Sequence, residues 1–144
     1  METAVRLLAM RDHFSRELWR KLRKKGFSGQ AADQAVDECQ RLNYVDDLRC
    51  ADLFIRERLR RGYGIRRIRH DLKTKGVDEA EIMDAISELQ GAGKEMEAAR
   101  QVFEKNRRRY LRESDPRKRR EKIYRFLHSR GFTPQIISEL LRTE

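Results

Sequence analysis

A chain of 144 residues with a formal net charge of +10, 40% charged residues and only two prolines can make one compact domain or a few small stacked units, and its many straight side chains favour helix over sheet. Cys39 and Cys50 stand without a C-x-x-C partner, which fits a reducing compartment better than a disulfide framework, and no apolar run is long enough for a membrane span. The short apolar stretch at the start is interrupted by Arg6 and Arg11, unlike a secretory signal, so the expected location is cytoplasmic.

In chain order, Thr3 to Met10 reads as a short opening helix. The stretch "LRKKGF" (22–27) then closes a second helix, with Leu18 and Leu22 on one face and Gly26 at the stop. Ser28 can cap the next helix by accepting from its first-turn amides, and Phe27 is placed to staple onto Ala32. The form L-x-x-[KR]-G-apolar returns as "LKTKGV" (72–77) and "LHSRGF" (127–132), its glycines Gly76 and Gly131 following at intervals of 50 and 55 residues. Asp78 and Thr133 repeat the cap, and Val77 and Phe132 face Ile82 and Ile137 as Phe27 faces Ala32. Agreement of stop, cap and apolar stripe at three places predicts tandem helical hairpins.

Longer helices lie between the hairpins. Asp46 and Asp47 signal a start, and Leu48, Ala51, Phe54, Ile55 and Leu59 make an apolar face that Ala99, Val102 and Phe103 repeat. The expected helices are 46–61, 64–75 and 78–90, then 94–112, 116–130 and 133–143. The fold class is therefore all-α: three tandem three-helix repeats over 1–44, 45–91 and 92–144, expected to stack into an elongated, curved array.

The positive charge is local. Residues 56–75 hold nine Lys/Arg against two acids, and residues 105–125 hold eleven against three. Such runs suit nucleic acid or an acidic protein groove. The candidate basic face comprises Arg56, Arg60, Arg61, Arg66, Arg67, Arg69 and Lys73 in the middle, with Arg107, Arg108, Arg109, Arg117, Lys118, Arg119 and Arg120 in the last third. Tyr63 and Tyr110 border these runs and are the aromatic candidates for contact, while Trp19, Phe54, Phe103, Tyr124 and Phe126 read as core. Gly62 and Gly64 are expected to make a tight turn between two helices. A phosphate-cradling P-loop is excluded because G-x-x-x-x-G-K-[ST] is absent.

No catalytic, cofactor-binding or metal-binding residues stand out. His13, His70 and His128 are far apart, no nucleophile and base share a suitable spacing, and Cys39 and Cys50 read as small core residues. No enzyme activity and no cofactor are expected.

Four stretches, "AVRLLAMRDHFSRELWRKL", "LNYVDD", "RLRRGYGIRRIRHDLKTKG" and "IYRFLHSRGFTPQII", together spanning nearly the whole chain, resemble the RecX regulatory proteins. Two departures occur: Ile65 stands where that pattern usually has proline, and Asn43 where it usually has glycine. The resemblance implies three three-helix repeats and binding within the groove of a RecA recombinase filament on single-stranded DNA, restraining its ATPase, strand-exchange and co-protease activities; the chain itself is expected to be a monomer. The residues alone leave open a second reading, an autonomous nucleic-acid-binding module of helical hairpins.

Overall fold

The computed structural model describes residues 1–143, which form helices and turns with no strand among them. In chain order the helices are α1 (Glu2–Met10), α2 (Ser15–Lys24), α3 (Gly29–Arg41), α4 (Asp47–Arg60), α5 (Ile65–Thr74), α6 (Glu79–Gly91), α7 (Lys94–Lys105), α8 (Arg107–Leu111), α9 (Pro116–Ser129) and α10 (Pro134–Thr143). The three glycine stops, and the caps at Ser28 and Thr133, act as the repeated pattern demands. Ser28 Oγ accepts from Ala31 N at 3.1 Å, Thr133 Oγ1 from Ile136 N at 3.4 Å, and Gly26, Gly76 and Gly131 all take left-handed φ. Asn43 also turns left-handed, at φ 60, filling the place of the usual glycine.

The described residues divide into two units. The first joins Met1–Phe54 to Leu72–Ile82; the second joins Ile55–Asp71 to the chain from Met83 onward. In the first, Leu18 and Leu22 of α2 pack with Ala32, Ala35, Val36 and Cys39 of α3 and with Ala4 of α1, and Leu7, Leu8 and Trp19 close the edge. In the second, Ala99, Val102 and Phe103 of α7 meet Ile123 and Leu127 of α9 and Ile137, Leu140 and Leu141 of α10. Leu18, Leu127, Phe132 and Ile137 are fully buried, each contributing about 1.5 to 3 kcal/mol of transfer free energy.

Each unit contains one joint between successive repeats, built the same way. Asp47, the first residue of α4, accepts from Ser15 N at 2.7 Å and Ser15 Oγ at 2.6 Å, holding the start of α2. Glu95, the second residue of α7, accepts from Ile65 N at 2.9 Å, holding the start of α5. A carboxylate at the head of one repeat thus satisfies a free amide at a helix N-terminus in the repeat before it, where the helix dipole favours negative charge.

Four expectations are corrected. The single helix over 94–112 breaks at Asn106 (φ −110, ψ 8), whose Nδ2 donates to the Val102 carbonyl at 2.9 Å and so competes with the backbone ladder. Leu48 is 68% exposed rather than on the apolar face, because Asp46 caps the helix and Leu48 falls in its outward first turn. Phe27 is left 40% exposed, its partner Ala32 being too small to draw it in, whereas Val77 and Phe132 are buried. Tyr110 is a core residue, stacked on Phe103 at 5.8 Å and edge-on to Phe126 at 6.1 Å, which removes it from the contact candidates.

Candidate partner-binding surface

The G-Y-G turn between α4 and α5 sits in the second unit and is clamped by the end of α9. Gly64 N donates to the Arg130 carbonyl and Arg66 N to the Gly131 carbonyl, both at 2.9 Å. Gly62 turns left-handed at φ 85. Gly64 is required for a different reason: a Cβ there would lie 2.4 Å from the backbone of Phe132, so only glycine lets the two chains meet. Arg130, the Lys/Arg position of the repeated L-x-x-[KR]-G form, donates from Nε to the Gly62 carbonyl at 3.0 Å and from Nη2 to the Arg61 carbonyl. Both carbonyls lie just past the last residue of α4.

Tyr63 lies half-buried among three guanidiniums. The guanidinium carbons of Arg130, Arg67 and Arg58 stand 4.2, 5.2 and 6.0 Å from its ring centroid, within cation–π range. Beside the turn a cleft of about 160 Å³ is floored by Leu59, Val102 and Phe126 and rimmed by Arg60, Arg61 and Lys105.

The candidate cations differ in how far their charge is already cancelled. Glu57 accepts from Arg60 at 2.7 Å and Arg61 at 3.0 Å, and the Arg60 hydrogen bond foremost holds its carboxyl below the usual range. Asp71 faces Arg67 at 3.4 Å and Arg58 at 3.8 Å. Arg107 pairs with Glu104 and Arg117 with Glu121. Arg119 is partly buried and spends two donors on the Glu113 carbonyl, at 3.0 and 2.8 Å, closing the segment after α8. Arg66, Arg108, Arg109, Lys118 and Arg120 are exposed and make no ion pair among the described residues, though Lys118 adds, after Lys122, to the attraction that holds the Glu113 carboxyl below the usual range. Arg56 and Arg69 are exposed as well. Lys73 falls in the first unit, paired with Glu79 at 3.0 Å.

Glu95 supports this surface from beneath. It is 1% exposed, and burial pushes its carboxyl above the usual range despite hydrogen bonds from Ile65 N and from Thr133. Neither Glu95 nor Arg130 was singled out from the sequence. Their partners lie 30 and 68 residues away; the one available signal was the recurrence of Lys/Arg before the repeat glycine, since Lys75, at the matching place, reaches Glu17 at 2.9 Å in the first unit.

His70 and His128 are exposed, and Cys39 and Cys50 are buried, as small core residues should be. Among the described residues no helix is long and apolar enough to cross a membrane, and no three His, Cys, Asp or Glu side chains gather to hold a metal.

Residues 1–39, 46–86 and 94–141 match the first, second and third three-helix domains of RecX. The chain is 36% identical over 142 residues to the regulatory protein RecX of Legionella pneumophila (strain Corby), covering 98% of this chain and 91% of the relative. It is 36% identical over 143 residues to that of Vibrio campbellii (strain ATCC BAA-1116), covering 99% and 90%. The crystal structure of RecX from Lactobacillus salivarius shares the fold, with a TM-score of 0.88 at 22% identity over 99% of this chain and 92% of that one. Three successive domain matches and full-length identity above 30% establish that the chain belongs to the RecX family of regulatory proteins.

Proposed function

We propose that this protein binds the filament of RecA recombinase on single-stranded DNA and restrains its ATPase, strand-exchange and co-protease activities. Within a chain of this family, the observation that carries the reading is the uncancelled charge of Arg66, Arg108, Arg109 and Arg120, in the same unit as the clamped G-Y-G turn. Exposed cations without carboxylate partners keep their full field for an incoming polyanion or acidic groove, and long-range attraction speeds encounter. The turn adds a rigid corner, because Arg130 and Glu95 fix both of its ends and little ordering remains to be done on binding. The decisive experiment titrates the protein into its cognate RecA on single-stranded DNA. Equimolar or lower amounts should reduce ATP hydrolysis and strand exchange; both rates unchanged at several-fold excess would overturn the reading.

A further inference from the structure

We propose a further anion-binding surface on α2, in the first unit, that takes the phosphodiester backbone of single-stranded nucleic acid. Arg16, Arg20, Arg23 and Lys24 of α2, with Lys25 after it, are all exposed. None makes an ion pair with a carboxylate among the described residues, unlike Arg60, Arg61 and Arg67 in the middle run. Their anchors are neutral. Arg20 Nη1 donates to the Thr74 carbonyl at 2.9 Å and Arg23 Nη1 to the Phe27 carbonyl at 3.0 Å. The Arg16 stem lies against Gly76, and its guanidinium carbon stands 5.0 Å from the Trp19 ring centroid, with that of Arg23 at 5.9 Å.

A neutral anchor orients a guanidinium without cancelling its charge. Three planar forks are therefore held ready with N–H donors to spare, which lowers the ordering cost of binding. Arg16, Arg20 and Lys24 recur every fourth residue, so they lie on one face about 6 Å apart along the axis. Two carboxylates of α2 and α3 are otherwise engaged. Asp33 accepts from Trp19 Nε1 at 2.7 Å, and buried Glu17 is held by Arg11 and Lys75. Trp19, half-buried and fixed through that bond, gives the row an aromatic plane between cations, the combination that accepts successive unpaired nucleotides. An acidic peptide has no use for that plane.

The full-length protein carries its own reporter, because Trp19 is its single tryptophan. A dye-labelled oligothymidylate is titrated in without recombinase, so the outcome is independent of filament regulation. Trp19 emission should change in parallel with oligonucleotide anisotropy. The Arg16→Gln/Arg20→Gln/Arg23→Gln variant should show a slope of log affinity against log salt shallower by about 2, since each phosphate contact on a single strand contributes about 0.7. Should that variant lose its helical circular dichroism, Lys24→Gln/Lys25→Gln, whose side chains make no hydrogen bond or ion pair among the described residues, should lower the slope by about 1. Four results overturn the proposal: no oligonucleotide binding at low salt, binding that leaves Trp19 emission unchanged, an unaltered slope in the folded variants, or polyglutamate displacing the oligonucleotide at equal charge concentration.

Discussion

The buried carboxylate of Glu95 accepts a hydrogen bond from the backbone N–H of Ile65 at 2.9 Å. Proline at position 65 fits the first turn of a helix but has no hydrogen to donate. Ile65→Pro should therefore destabilise the protein by about 1 to 2 kcal/mol, the cost of leaving a buried charged acceptor short of a donor. In a Glu95→Gln background the same change should cost less, because a neutral amide is easier to leave unpaired. Urea unfolding of the four proteins gives the coupling, expected above roughly 0.5 kcal/mol. Additive losses would show that the two groups do not interact.

Gly26 and Gly76 form a matched pair for testing the joint in the first unit. Both are left-handed, at φ 102 and 85, but a Cβ on Gly26 meets open space whereas one on Gly76 would lie 2.4 Å from Arg16 Cγ and 2.7 Å from Arg16 Cβ. Gly26→Ala should cost about 1 kcal/mol from backbone strain alone. Gly76→Ala should cost about 1 kcal/mol more, as a tight contact must also give way. Thermal unfolding of both variants checks this, and equal losses would mean that the end of α5 packs loosely on α2.

What could be read in the sequence was what neighbours along the chain decide. Ser28, Thr133 and the glycine stops act within a single turn, so spacing alone located them. Gly64 carries no such mark, because its demand for a missing Cβ comes from Phe132, far along the chain. Glu95 looked like one more acid in a first turn until the fold placed it under α5. Asn106 offered a helix-breaking side chain, but the apolar spacing on either side of it concealed the break. The basic runs were visible as counts, yet which cations face carboxylates depends on rotamers and on partners such as Asp71 and Glu113. The row on α2 escaped attention because the two denser runs drew it.

Glu17 makes stability depend on pH at the acid end. Burial alone would raise its carboxyl, but hydrogen bonds from Arg11 at 2.6 Å and Lys75 at 2.9 Å outweigh that and bring it to about 2. A carboxyl depressed on folding contributes stability that is complete above its unfolded value, near 4.5, and is lost as pH falls toward 2. The full effect at neutral pH is roughly 3 kcal/mol, less whatever the half-exposed Arg11 loses to screening. Glu95, shifted upward, works weakly in the opposite sense, its burden easing as it protonates. Glu17→Gln should lower stability at pH 7 and flatten the decline between pH 4.5 and 2. Urea midpoints across that range measure it, and parallel curves for wild type and variant would rule the ion pairs out as the cause.

Two charge-reversal variants separate the basic runs. In Arg60→Glu/Arg61→Glu/Arg66→Glu/Arg69→Glu, the first two changes also set new carboxylates against Glu57, which now binds both arginines. That variant should keep its helices but lose about 1 kcal/mol of stability, since exposed pairs contribute ~0 to 1 kcal/mol each. In Arg108→Glu/Arg109→Glu/Lys118→Glu/Arg120→Glu, no ion pair among the described residues is broken, so stability should hardly move. Both should associate more slowly with the recombinase filament, and the second more so, because none of its cations is held in an ion pair among the described residues. The deficit should be largest at low salt, where the Debye length is longest. Association rates at several salt concentrations, with circular dichroism on the same samples, decide the matter. If the second variant folds and associates as the wild type does, the last-third run is only a solvated face, and recognition rests on the corner around Tyr63.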